Sequence, residues 1–161
     1  MKHFHARNLV LCLLLAVCLT VFCTGCGAKT DRLSLPFTAD ELVSAELFLQ
    51  TDGESSLEKK VLKTQADLQT LWEEIDGLPI EKKENEPEPP QDSVDFSIRF
   101  ILQDDSNWLL AYESLGAKAG HLYGNNSADC DHFTAADVAG IWDLFAVPVL
   151  PATPSEIPFA Q

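Results

Sequence analysis

The first 26 residues constrain this chain most, because they separate a hydrophobic leader from the part that has to fold. Lys2 and Arg7 give the leader a positively charged start. Leu9 to Cys23 is then an apolar run of 15 residues, LVLCLLLAVCLTVFC. A helix needs about 20 apolar residues to span a bilayer. The short run therefore predicts a cleaved secretory signal, residues 1–25, and not a retained transmembrane helix.

Small residues come directly before Cys26, in the sequence Cys23-Thr24-Gly25-Cys26. This sequence resembles the lipobox of bacterial lipoproteins, in which Leu, a small residue, and Gly or Ala precede the modified cysteine. Cys23 stands where the family usually has Leu, and ordinary cleavage without a lipid is the alternative. The resemblance implies that Cys26 becomes the mature N-terminus and carries a thioether-linked diacylglycerol, usually with a further acyl chain such as palmitate on its amine. It also implies a lipid anchor on the outer, extracytoplasmic face of the cell membrane.

The part of the chain after the leader is strongly acidic. The whole chain has 11 basic and 25 acidic residues, a formal charge of −14. Loss of Lys2 and Arg7 with the leader leaves nine basic residues against the same 25 acidic ones, a formal charge of −16. A surface of this sign repels phosphates, which excludes nucleic acid and anionic lipid as partners of that surface. It favours basic partners or cations, or it serves solubility beside an anionic membrane.

Of the five cysteines in the sequence, only one would remain as a free thiol in the mature chain. Cys12, Cys18 and Cys23 leave with the leader, and Cys26 is consumed by the lipid, so Cys130 remains. An intramolecular disulfide is therefore excluded. We interpret Cys130 as a small buried hydrophobic residue, with a metal ligand or an intermolecular disulfide as the alternatives.

Composition divides the mature chain into a tether, one domain and a tail. Residues 26–36 form a short lipidated tether, whose last ten residues reach about 35 Å when fully extended. Residues 37–148 suffice for a single α+β domain. Within it, residues 81–92 (EKKENEPEPPQD) have no apolar residue except proline and predict an exposed, acidic, Pro-rich loop. Residues 149–161 contain three prolines and predict an irregular, flexible tail.

Residues 64–76 have the pattern of a capped amphipathic helix. Thr64 is a suitable N-cap, and Asp67 places a carboxylate near the helix N-terminus, where the helix dipole favours it. Four apolar residues follow at the spacing of one helix face, namely Leu68, Leu71, Trp72 and Ile75. Gly77 suits the position just after the helix, and Pro79 prevents its continuation.

The residues from Thr134 onward repeat this pattern. Thr134 is again a suitable N-cap, with Asp137 three residues later. Apolar residues at helical spacing follow, namely Val138, Ile141, Trp142 and Phe145. Pro148 ends the segment. We therefore predict a second amphipathic helix that begins after Thr134.

Alternating apolar residues predict a first β-hairpin, formed by residues 43–50 and 57–63. The inward side of its first strand carries Val43, Ala45, Leu47 and Leu49. A helix that begins at Thr38 is the alternative for this strand. The turn signal Asp52-Gly53 follows so closely that it favours the hairpin.

A second hairpin is predicted by residues 94–102, which alternate strictly between apolar and other residues until the end of the strand. Residues 104–107 (DDSN) form the turn, and the returning strand begins at Trp108 and includes Tyr112. Residues 121–123 (HLY) predict a third short strand.

Together these elements predict an α+β fold, in which an antiparallel sheet has two amphipathic helices packed on one face. The predicted core combines large apolar residues of the helices and the sheet, namely Leu68, Leu71, Trp72, Phe96, Phe100, Ile141, Trp142 and Phe145. This element order resembles small, uncharacterised lipoprotein domains of Gram-positive bacteria. The resemblance is one of pattern and implies no activity.

Potential metal ligands are concentrated at Cys130, Asp131 and His132, with His121 nearby in sequence. Zinc accepts cysteine, histidine and carboxylate ligands, so these four residues are the candidate metal site. Their spacing lacks a C-x-x-C pair, an H-x-x-x-H pair and a second cysteine. The alternative is a polar loop that leads into the Thr134 cap.

No motif in the sequence predicts catalysis. The chain has no Gly-x-Ser-x-Gly elbow and no Gly-rich phosphate loop. The adjacent carboxylates Glu73-Glu74 and Asp104-Asp105 are expected on a solvated helix face and in a turn. We therefore predict that the chain is not an enzyme and holds no cofactor.

Three functions remain consistent with these patterns. The first is a non-enzymatic surface module that binds a protein or another ligand of the cell envelope. The second is a metal or small-ligand sensor that uses His121, Cys130 and His132. The third is a hydrolase whose site has no recognised motif. The anchor, the small size and the missing motifs favour the first.

Overall fold

Antiparallel strands are the main regular structure among the residues that the structure describes. The computed structural model describes residues 31–51, 56–81, 94–115, 119–124 and 132–157. The predicted leader, Cys26, Cys130, Asp131 and residues 82–92 of the predicted loop lie outside these ranges.

Strands are separated by one α-helix and three short 3₁₀ helices within the described ranges. The strands are β1 (Asp31–Arg32), β2 (Leu42–Thr51), β3 (Leu57–Leu62), β4 (Pro79–Ile80), β5 (Val94–Leu102), β6 (Asn107–Ser114), β7 (Gly120–Gly124), β8 (His132–Thr134) and β9 (Leu150–Pro151). The helices are the 3₁₀ helix Ala39–Glu41, α1 (Gln65–Ile75), and the 3₁₀ helices Ala139–Leu144 and Pro154–Glu156.

Seven strands form one antiparallel sheet in the order β8-β7-β6-β5-β2-β3-β9, and β1 pairs with β4 in a two-stranded ribbon. Residue Glu81, just after β4, exchanges main-chain hydrogen bonds of 2.8 and 2.9 Å with Phe133 of β8. The ribbon therefore continues the sheet beyond β8.

The core lies on one side of the sheet. Residues directly opposite each other on paired strands point to the same side, and Ala45 and Leu47 lie opposite Phe100 and Ile98. We call the side that carries these four residues the first face and the opposite side the second face. All four are fully buried. The buried residues of α1 belong to the same core, namely Leu68, Leu71 and Ile75.

The predicted helix at residues 64–76 is confirmed as α1. Thr64 Oγ1 accepts a hydrogen bond from Asp67 N at 3.2 Å, so the N-cap forms as expected. Gly77 has a φ of 84°, the left-handed conformation that ends many helices. Trp72 is half-buried, and its Nε1 donates to Phe37 O at 2.9 Å.

Both predicted hairpins and the third short strand are confirmed, as β2–β3, β5–β6 and β7. Val43 is the exception, because 53% of it is exposed. The β2–β5 register shifts between Leu42 and Ser44. This irregularity breaks the alternation, so Leu42 is buried and Val43 is not.

The second predicted α-helix is wrong. Thr134 belongs to β8, where its Oγ1 donates to Pro79 O at 2.8 Å and accepts from Ala136 N at 3.1 Å. The residues that follow form only the six-residue 3₁₀ helix Ala139–Leu144. Asp137 Oδ1 accepts from Gly140 N at 3.0 Å. A local side-chain bond of this kind competes with helical pairing, and glycine is a poor helix former.

The apolar stripe predicted for this segment is buried all the same. Its members lie in the first-face core, namely Val138, Ile141, Trp142 and Phe145. Burial depended on the apolar residues and not on the α-helical conformation expected for them. The predicted α+β class is confirmed in a coarser form, as a mostly antiparallel sheet with few helices.

Lys60 holds the 3₁₀ helix Ala139–Leu144 against the sheet. Only 6% of Lys60 is exposed, and it lies opposite Leu47 on the first face. Its Nζ donates to Trp142 O at 2.8 Å and to Phe145 O at 2.9 Å. The same nitrogen lies 4.5 Å from the centroid of the Trp142 ring. The buried charge is thus satisfied by carbonyl oxygens and an aromatic face.

Residues 31–36 belong to the domain, although composition assigned them to the tether. Main-chain hydrogen bonds join Leu33 to Leu78 and to Gly77, at 2.9 and 2.8 Å. Arg32 Nη1 donates to Gly77 O at 2.7 Å. Leu35 is buried. Composition missed these contacts because their partners are about forty residues away in sequence.

The described part of the predicted irregular tail is regular and attached to the sheet. β9 pairs with β3, where Leu150 lies opposite Lys59, and Ala152 N donates to Leu57 O at 2.9 Å. Proline at the start of the 3₁₀ helix Pro154–Glu156 suits that position and does not interrupt it. The prolines of residues 149–157 predicted an irregular tail, but these residues form short elements, one of which is capped.

Candidate functional site

The structure separates the two histidines of the predicted metal site. In the β7–β8 register His132 lies opposite Leu122, whereas His121 lies opposite Phe133. Leu122 is part of the first-face core. His132 therefore points to the first face and His121 to the second, so the two imidazoles cannot converge on one ion. Cys130 lies outside the described residues, as does Asp131.

His121 is buried beside one carboxylate. It is 2% exposed, and its Nδ1 lies 4.0 Å from Glu113 Oε2. The same carboxylate oxygen accepts a hydrogen bond of 2.9 Å from the Tyr123 hydroxyl. The Phe133 ring meets the imidazole edge-on, with 6.2 Å between centroids. In the part of the chain that the structure describes, no three His, Cys, Asp or Glu side chains are grouped as metal ligands would be.

A cluster of paired charges occupies the middle of the second face. Arg99 lies opposite Glu46, and its Nη1 donates to Glu46 Oε2 at 2.7 Å. The Arg99 guanidinium carbon lies 5.5 Å from the centroid of the Phe48 ring. Arg99 Nη2 donates to the main-chain carbonyl of Glu156 at 2.6 Å. Lys59 lies opposite Phe48, and its Nζ donates to the Glu156 carboxylate. We call Lys59 and Arg99 with these contacts the Lys59–Arg99 cluster.

Local sequence explains how Glu156 is held in position. Thr153 and Glu156 form a capping box around the 3₁₀ helix Pro154–Glu156. Glu156 Oε2 accepts from Thr153 N at 2.8 Å and from Thr153 Oγ1 at 3.1 Å. The other carboxylate oxygen, Oε1, is the one that Lys59 contacts. Each oxygen of Glu156 therefore has its own donors.

Acid is expected to destabilise the unaltered chain more than the variant Glu156→Gln. The Lys59 ammonium and the Thr153 N–H, in that order, lower the pKa of Glu156 from 4.5 to about 2. A carboxylate with a lowered pKa stabilises the fold above pH 4.5, and this contribution is lost as the pH falls toward about 2. Urea midpoints at about pH 6 and about pH 3, compared between the two chains, measure the difference.

Glu74→Gln is the matched control, because it removes one exposed carboxylate from α1. This variant should lose as much stability in acid as the unaltered chain. If Glu156→Gln also loses the full amount, the contact between Lys59 and Glu156 does not contribute to the fold.

The Lys59–Arg99 cluster recognises one residue in two ways. A lysine contacts the side-chain carboxylate of Glu156 and an arginine contacts its main-chain carbonyl. Charge-assisted hydrogen bonds of this kind are shorter and stronger than neutral ones. The two cationic side chains stay partly exposed, 18% for Lys59 and 28% for Arg99. Such an arrangement suits the holding of a turn that carries an acidic residue.

Sequence reasoning did not find this cluster. Lys59, Arg99 and Glu156 are far apart in the chain, so no local spacing groups them. One local signal was available, since Thr153 and Glu156 match the spacing of a capping box. That signal indicates an ordered turn in the tail, but it does not name the partners of Glu156.

Comparison with known protein families, with characterised proteins and with solved structures finds no match for this chain. Among the described residues, no helix has the length and apolar character needed to cross a bilayer.

Proposed function

We propose that this protein is a membrane-anchored lipoprotein of the outer, extracytoplasmic face, and that its domain is a non-enzymatic binding module of the cell envelope. The leader of residues 1–25 and the lipobox-like sequence before Cys26 support the anchor. Each buried CH₂ of a lipid contributes about 0.8 kcal/mol, so two or three acyl chains anchor a protein stably where one does not.

The reach of the anchor is short. Asp31 is the first described residue and begins β1, five residues after Cys26. A fully extended chain of five residues spans about 18 Å. A domain tethered at Cys26 is therefore held close to the headgroups, at half the distance that composition alone suggested.

The Lys59–Arg99 cluster is the observation that supports a binding function. The second face already holds one segment of chain, through a carboxylate and a main-chain carbonyl of the same residue. Recognition of this kind needs no chemical step. It makes the second face the proposed binding surface of the module.

Replacing Cys26 with Ser is expected to abolish lipidation and to release the protein from the membrane. Without the thiol no thioether to diacylglycerol forms, and without acyl chains the anchor is lost. Growth of a producing bacterium with labelled palmitate, followed by separation of membranes, measures both effects. Cys18→Ser, in the apolar run outside the lipobox-like sequence, is the matched control and should keep the label. Label retained by Cys26→Ser would contradict the proposed anchor.

A further inference from the structure

Residues 150–157 lie along the sheet and reach the Lys59–Arg99 cluster; we call them the C-terminal strap. The strap begins as β9 at the edge of the large sheet, beside β3. It then turns through the 3₁₀ helix Pro154–Glu156 onto the second face, where Glu156 meets both cations. The chain thus shows which kind of peptide this surface accepts.

The strap has an unusual composition for this chain. From Leu144 to Ser155 there is no charged residue, and Glu156 is the single charge between Leu144 and the end of the sequence. The occupant of the surface is therefore a proline-containing segment, a short strand followed by a 3₁₀ helix, whose single charged residue is a glutamate. Its charge complements the two cations below it.

The strand pairing of the strap is short. β9 pairs with β3 at two positions only, Glu58–Pro151 and Lys59–Leu150, whereas β2 and β5 pair along their whole length. Leu150 is 43% exposed. Segments with short pairing and exposed apolar residues open at a lower free energy than the sheet that supports them.

Release of the strap would leave the second face ready for another peptide. The outer edge of β3 would regain main-chain groups that can pair with an added strand. Lys59 would lose its carboxylate partner, while Arg99 would keep its contact with Glu46. An incoming segment with an acidic residue can restore each of these contacts.

We propose that the Lys59–Arg99 cluster and the adjoining edge of β3 bind a segment of a partner protein that pairs briefly with β3 and then turns to present one glutamate or aspartate, in place of the C-terminal strap. This inference rests on the proposed function and names the chemistry of the partner. The strap then acts as an internal competitor, because a tethered segment has a high effective concentration at the site.

The test uses the full-length chain in detergent micelles and a fluorescent peptide with the sequence of residues 148–157. In the variant Glu156→Lys the strap meets like charge at the cluster and no longer competes. Fluorescence anisotropy should show the peptide binding to this variant about tenfold or more tightly than to the unaltered chain. A second peptide with Gln in place of Glu156 should bind about tenfold more weakly, because a charge-assisted hydrogen bond is lost.

Further variants separate recognition from folding. Adding Lys59→Ala to Glu156→Lys should remove the preference for the glutamate peptide, whereas Lys63→Ala, at an exposed lysine just after β3, should keep it. Circular dichroism establishes that each variant is folded. Equal binding of the two peptides, or no binding to folded Glu156→Lys, would overturn the proposal.

Light scattering of the unaltered chain tests a second copy as the occupant. A monomer is expected. If the unaltered chain is a dimer and the Glu156→Lys variant is a monomer, the site binds the strap of a second copy. This result would overturn the partner proposal. Palmitate labelling of Cys26 tests the anchor independently of peptide binding. A failed peptide test therefore does not contradict the anchor, and a failed labelling test does not contradict the peptide site.

Discussion

Replacing Phe100 with Ala is expected to lower the free energy of unfolding by about 3–5 kcal/mol. Phe100 is fully buried on β5, which is flanked by β2 and β6. Its ring centroid lies 5.3 Å from that of Phe37 and 5.8 Å from that of Trp108. The substitution removes a buried ring and leaves a cavity, which the closely packed neighbouring side chains fill only in part.

Urea unfolding at neutral pH measures this loss. The matched control is Val43→Ala on β2, because Val43 is an apolar residue of the same sheet that is 53% exposed. A surface substitution of this kind changes stability by about 0.5 kcal/mol or less. Since small domains are stable by only about 5–15 kcal/mol, Phe100→Ala should move the urea midpoint far more. Similar midpoints for the two variants would contradict the placement of the core on the first face.

Replacing Lys60 with Met is expected to cost about 2–4 kcal/mol, although methionine keeps most of the apolar stem. The substitution leaves the carbonyls of Trp142 and Phe145 without the ammonium that now donates to them. Each buried acceptor without a partner costs about 1–3 kcal/mol. The contact between the ammonium and the Trp142 ring is lost as well.

Lys63→Met is the matched control, because Lys63 is exposed and stands just after β3. Its urea midpoint should stay close to that of the unaltered chain. Hydrogen exchange adds a local reading, since amides of residues 139–145 should exchange faster in Lys60→Met and at the normal rate in Lys63→Met. Equal midpoints and equal exchange in both variants would show that Lys60 does not hold the 3₁₀ helix Ala139–Leu144.

Elements with local signals were predictable. For α1 the cap at Thr64, the apolar stripe and the stop at Gly77 all lie within 14 residues of sequence. The hairpins follow from alternation, because strand residues two apart share a side. Val43 shows the limit of this reasoning, since a shift in register between Leu42 and Ser44 changes which residue faces the core.

The second helix shows how tertiary contacts override a local pattern. Thr134 has the sequence context of an N-cap, yet its hydroxyl donates to Pro79 of the neighbouring ribbon. A hydrogen bond to a residue 55 positions away leaves no trace in the local sequence.

The register of β7 with β8 places His121 and His132 of the predicted metal site on opposite sides of the sheet. Whether His121 and His132 share a side depends on the pairing of β7 with β8, and a slip of one residue would place His132 opposite His121. Sequence spacing alone does not specify that pairing. The tertiary structure decides it, with Leu122 and not His121 opposite His132.

The sequence by itself determined the acidic charge, α1, the hairpins and the burial of most residues predicted for the core, because these depend on composition and on spacings within one element. The tertiary structure alone decided the sides on which the histidines lie, the docking of residues 31–36, and the meeting of Lys59, Arg99 and Glu156. Those three residues are brought together by strand order and by the path of the strap. Such long-range pairings depend on the whole chain packing at once, so no local pattern encodes them.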